Sequence, residues 1–125
     1  ELRALRPDLA SKPEARIQEM DFGAWEGHAW SAIAQADIDA WADNLGSHAP
    51  GGGEPLSAML ARVALALRDA AACAQAGGGD MVWITHAGVA RCVQWLQTHG
   101  EARLPQAHEW PVAAPDFGAW VRVVL

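Results

Sequence analysis

The sequence is short of positive charge. Nine Lys and Arg stand against fifteen Asp and Glu, a formal net charge of −6, which excludes general nucleic-acid binding because that needs a basic surface to replace phosphate counterions. An anionic ligand would have to be met by local cationic groups. Cysteine is scarce too: Cys73 and Cys92 lie in apolar stretches without C-x-x-C spacing. They are read as buried thiols, neither a disulfide nor a metal framework, and a reducing cytoplasm fits them. No apolar run reaches the roughly twenty residues that cross a bilayer, and no basic-then-apolar signal opens the chain. A soluble chain with no membrane partner is expected.

What is present is apolar. Hydrophobic residues make up 51% and charged ones 19%, which excludes the composition of disordered chains. At 125 residues the chain suits one domain, residues 1–125, able to bury roughly two-thirds of its unfolded surface. It opens on Glu1, not Met, and residues 1–6 read as the last turns of a helix that stops at Pro7. The expectation is of a fragment whose fold begins upstream.

Residues 15–19 are expected as a short strand, followed by a loop with two glycines at 20–27. From Trp30 the apolar residues Ile33, Ala34, Ile38, Trp41 and Leu45 fall at helical steps, ending near Gly46. Pro55 is placed at the first position of a second helix, whose stripe of Leu56, Met59, Leu60, Val63, Ala64 and Leu67 runs to Gly77. Asp80-Met-Val-Trp-Ile-Thr85 is too short for a helix and nearly all apolar, as suits a central strand covered on both faces. A helix over 89–98 and a final strand over 117–125 complete an α/β order. Asp-Phe-Gly-Ala-Trp occurs at 21–25 and again at 116–120 with different flanks, and no repeat follows from it. The kinase reading of Asp-Phe-Gly fails for want of a His-Arg-Asp loop, a strand Lys and a Gly-rich phosphate loop.

Chemistry concentrates at Val82-Trp-Ile-Thr-His-Ala-Gly-Val-Ala-Arg91, where a strand is expected to end in His86 just before a helix. Ligands gather at the carboxyl ends of strands, and free N–H groups opening a helix attract anions, with Gly88 allowing close approach. The other reading of His86 is a cap or packing residue. Glu54, ahead of Pro55, stands where a Ser, Thr, Asp or Asn cap is normal; it either reaches into a site through the Gly51-Gly-Gly53 loop or is a solvated loop glutamate. Glu19 ends the first expected strand. His28, His48, His99 and His108 lack metal-site spacing. The tryptophans are assigned to packing, with Trp25 and Trp30 the two that could line a pocket.

Taken together, Ile17-Gln-Glu-Met-Asp-Phe-Gly-Ala-Trp-Glu-Gly27, Pro50-Gly-Gly-Gly-Glu54 and Ile84-Thr-His-Ala-Gly-Val-Ala-Arg91 resemble, in order and spacing, the histidine phosphatase (phosphoglycerate mutase-like) superfamily, nearest to its α-ribazole phosphatase branch. The resemblance implies a three-layer α/β/α sandwich lacking its first strand and first helix. It implies Glu19 as proton donor and His86 as second pocket histidine, with Glu54, Ala87 and Gly88 on the substrate side. Pro55 stands where Ser is usual and Ala87 where Gly is common. The Leu-x-Arg-His-Gly motif that carries the attacking histidine does not occur in the 125 residues, so this chain alone is expected to be inactive. The implied activity is hydrolysis of a small phosphomonoester such as α-ribazole phosphate through a phosphohistidine, without metal or other cofactor, in the cytoplasm. A phosphoglycerate mutase, a sugar-phosphate phosphatase and a binding module that lost its nucleophile are the alternatives.

Overall fold

The computed structural model describes residues 2–125, and Glu1 lies outside the described residues. Among the described residues four α-helices follow in order: α1 (Leu2–Leu5), α2 (Gln35–Asp43), α3 (Leu56–Gly77) and α4 (Ala87–His99). Single 3-10 turns lie at Ala15–Ile17, Gly23–Trp25, Trp30–Ala32, Pro50–Gly52 and Ala107–Glu109. The apolar stripe at helical spacing is what makes α3 the spine. Leu56, Met59, Leu60, Val63, Ala64, Ala66 and Ala70 are its buried residues, and they meet Val89, Cys92, Val93 and Trp95 of α4. Met20 and Leu45 close the same core from the loops. Each fully buried large apolar side chain contributes roughly 1.5–3 kcal/mol, so this α3–α4 seam holds the structure together.

Both helices stop at glycine. Gly78 takes a left-handed conformation (φ 65°) and returns its N–H to the Ala74 carbonyl at 2.8 Å, closing off the terminal carbonyls as αL caps do. Pro55 sits one position earlier in the helix than expected. It is the N-cap residue, its carbonyl accepting from Ala58 and Met59, so Glu54 precedes the cap and is free of the capping duty assigned to it. The expected helix from Trp30 is broken, with a 3-10 turn at Trp30–Ala32 and α2 beginning only at Gln35.

The expected α/β/α sandwich is not formed: among the described residues there is no strand. The first expected strand coils into the Ala15–Ile17 turn, because Glu14 caps it through the Arg16 N–H and closes an ion pair with the Arg16 guanidinium. Residues 80–85 and 117–125 run irregularly. A strand is stable only when a neighbour completes its ladder, and the hydrogen bonds holding these segments use side chains: Thr85 Oγ1 to the Ile17 carbonyl, Arg122 to Asp80 and Gln97 Nε2 to the Val124 carbonyl. Val82, Ile84, Phe117 and Trp120 are left exposed. The apolar run at 80–85 thus leaves Met81, Val82 and Ile84 exposed, while Trp83 packs, partly buried, against the core. Cys73 is also exposed, against expectation, while Cys92 is buried as read. No helix among the described residues is long and apolar enough to cross a membrane.

Candidate active site

Two glycine loops pack back to back beside α3. A Cβ on Gly51 (φ 63°) would lie 2.1 Å from the Phe22 carbonyl oxygen, and one on Gly53 would lie 2.2 Å from that of Asp21. Only glycine allows such an approach. The Gly51-Gly-Gly53 segment is therefore a packed seam with the loop at 21–25, tied by the Glu54 N–H to the Asp21 carbonyl at 2.7 Å. It holds Glu54 in place, so Glu54 is neither carried on a reaching loop nor a solvated loop glutamate.

Arg62 is the hub of the site. It projects from α3 and forms a two-pronged ion pair with Glu54, Nε and Nη2 each 2.8 Å from a carboxylate oxygen. The remaining donors reach the carbonyls of Arg16 (2.7 Å), Gln18 (2.8 Å) and Glu19 (3.2 Å). One guanidinium thus clamps Glu54 and the backbone at 16–19 to the helix. Glu54 holds the Arg62 guanidinium above its ordinary range, against burial, which acts the other way. The sequence reading singles out no role for Arg62. Its signal is an arginine two helical turns past an acidic residue at the helix mouth, since Arg can satisfy a carboxylate and several carbonyls at once.

The clamped segment delivers Glu19 to α4. Thr85 Oγ1 donates to the Ile17 carbonyl at 2.5 Å, and the Glu19 carboxylate accepts from the Met20 N–H (3.0 Å) and the Gly88 N–H (3.2 Å). A Cβ on Gly88 would fall 2.0 Å from Glu19 Oε1. Gly88 does admit an anion to the helix N-terminus, and that anion is the chain's own carboxylate. Free N–H groups and the helix dipole favour negative charge there.

His86 is the N-cap residue of α4 with extended backbone (φ −118°, ψ 161°), and its side chain forms no capping hydrogen bond. It is exposed, as are Glu19 and Ala87. Glu19, Gly88 and, through Arg62, Glu54 are therefore brought together, with His86 two residues from Gly88 at the same helix end. The cavities over 42–47 with 104–108 and over 22–33 are lined by other residues. Beneath the site, burial pushes the Cys92 thiol up to about 12, which makes it inert packing. Among the described residues no group of three or more His, Cys, Asp and Glu gathers to hold a metal ion.

A carboxylate is thus seated on a helix N-terminus, two residues along from a histidine with no capping duty. The model of the Histidine phosphatase superfamily (branch 1) matches residues 2–114, and the chain belongs to that superfamily, which in general comprises phosphatases and mutases. No curated protein and no solved structure matches it.

Proposed function

We propose that the protein is a phosphatase of small phosphomonoesters, with α-ribazole phosphate its first candidate substrate, acting in the cytoplasm. The observation that supports this reading is the contact of the Glu19 carboxylate with the Gly88 N–H, two residues along α4 from His86. In the reaction a histidine nitrogen attacks phosphorus, the ester P–O bond breaks and the phosphoryl group passes to nitrogen. Glu19 gives its proton to the leaving oxygen, then takes one from the water that attacks the phosphohistidine, releasing inorganic phosphate. His86 donates to phosphoryl oxygens and offsets charge as it spreads in the transition state, while Ala87 and Gly88 present the backbone lip of the pocket. Glu54 acts through Arg62 as a positioning residue.

The attacking nitrogen belongs in this scheme to an Arg-His-Gly motif, which the 125 residues do not contain. Residues 1–125 expressed alone therefore release no phosphate. The open reading frame that encodes them, expressed whole, is tested against a panel of phosphomonoesters including α-ribazole phosphate, 3-phosphoglycerate and sugar phosphates. Phosphate release lost in His86→Ala supports the reading; transfer of phosphate between hydroxyls without release makes the protein a mutase. No turnover on any ester, with phosphate still bound, makes it a binding module.

A further inference from the structure

We propose that the hollow lined by Phe22, Trp25, Trp30, Glu26, His28 and Ile33 binds a small organic ammonium cation, with a quaternary ammonium group as the best fit. The hollow, about 170 Å³ in volume, has a wall of aromatic rings and a rim of polar side chains. Its volume suits a compact group, since sites for drug-sized ligands run from roughly 300 Å³ upward.

The aromatic wall is rigid. Trp30 and Trp41 lie parallel, 1° between planes and 6.2 Å between centroids. Phe22 stands at 89° to both, and Trp25 stands at 76° and 77° to them. Each ring is held by the edges and faces of the others, so a ligand entering beside Trp30 meets fixed π-surface. Trp30 is 57% exposed, so its indole is open to a ligand. The face of an indole attracts cations more strongly than that of any other side chain.

Charge selects the occupant. Between Arg16 and Arg62 the chain has no Lys or Arg, while Glu19, Asp21, Glu26, Asp37, Asp39, Asp43 and Glu54 all fall there, and the hollow lies wholly within that stretch. Glu26 is fixed at the rim because its Oε1 accepts the Phe22 N–H at 2.9 Å, which leaves the second oxygen for a ligand. The lining carries one carboxylate, Glu26, and no Lys or Arg, so an anion would meet a carboxylate, and a neutral ring would leave Glu26 unused. An organic ammonium group satisfies both the π-faces and the carboxylate. The site is independent of the phosphoryl chemistry proposed above.

The test is a titration of residues 1–125 with choline, read by tryptophan fluorescence and by the shift of the choline methyl proton resonance. Its neutral isostere 3,3-dimethylbutanol is titrated in parallel. Saturable choline binding is expected, with the isostere at least roughly tenfold weaker, and a loss of roughly fivefold or more in Trp30→Ala, the size of one cation–π contact. Glu26→Gln, whose amide oxygen can still accept the Phe22 N–H, is expected to weaken choline and leave the isostere unchanged. Equal binding of the two probes, no saturable binding, or choline affinity untouched by both substitutions overturns the proposal.

Discussion

Removing the Arg62 side chain should damage this structure more than any other single charge deletion. The guanidinium donates five hydrogen bonds, two to Glu54 and one each to the carbonyls of Arg16, Gln18 and Glu19, which uses every N–H it has. Its side chain is 20% exposed and that of Glu54 is 19% exposed, so water can replace only part of what is lost. Breaking a fully buried ion pair costs about 3–5 kcal/mol. Allowing for the remaining exposure, Arg62→Ala is expected to cost about 2–4 kcal/mol, a large share of the roughly 5–15 kcal/mol that holds a typical domain. Urea unfolding of wild type, Arg62→Ala, Glu54→Gln and the double variant measures it. The double variant should be less destabilised than the sum of the singles, since Arg62→Ala alone strands a half-buried carboxylate. Arg62→Lys should recover little, because an ammonium cannot reproduce the fork. A loss below about 0.5 kcal/mol in Arg62→Ala, the range of ordinary surface changes, would refute the clamp.

Gly88→Ala separates the site from the fold: helix propensity favours alanine by about 1 kcal/mol, but the new Cβ would lie 2.0 Å from Glu19 Oε1 and must expel that carboxylate. Near-wild-type unfolding with sharply reduced turnover in the whole protein is expected, and unchanged turnover would show that the contact is dispensable. Thiol labelling followed by mass spectrometry should modify the exposed Cys73 in the native chain and Cys92 only after unfolding, since Cys92 is buried and its thiol is pushed up to about 12; equal rates would contradict the α3–α4 seam. The guanidinium of Arg16 lowers the Glu14 carboxyl from 4.5 to about 2. Because the folded value is depressed, this pair's contribution is complete above about 4.5 and fades as pH falls toward 2. The stability gap between wild type and Glu14→Gln should therefore narrow as urea unfolding is moved from pH 6 to pH 3, and a gap that stays constant argues against the pair.

The helices are legible in the sequence because their information is local. The stripe from Leu56 to Leu67 places α3, whose start lies one residue later than expected, and the Gly78 and Gly100 stops rest on the positive-φ turns that glycine permits. The strands are not legible in the same sense. Apolarity at 80–85 reports how the segment would be covered, whereas a strand exists only through a partner's hydrogen bonds, which the segment itself does not encode. The twice-used pentapeptide makes the point directly. At 21–25 Asp-Phe-Gly-Ala-Trp forms a 3-10 turn with Phe22 and Trp25 half-buried against Trp30 and Trp41; at 116–120 the same five residues make an isolated turn, closed by the Ala119 N–H on the Asp116 carbonyl, with Phe117 and Trp120 in solvent. Glu19 and His86 emerge from motif order, and the structure sets them at one helix end. Arg62 escapes notice because three of its partners are backbone carbonyls more than forty residues away in sequence, which leave no periodic mark.

The central claim is that Glu19 handles the proton at the helix end it shares with His86, and substitution by glutamine tests it with the least disturbance. Single-turnover phosphate release by the whole protein should fall roughly 10²- to 10⁴-fold in Glu19→Gln, the range of a well-placed acid/base, while the affinity for inorganic phosphate stays within about twofold. Turnover equal to wild type would contradict the claim, and so would a loss of phosphate affinity large enough to account for the whole loss of rate.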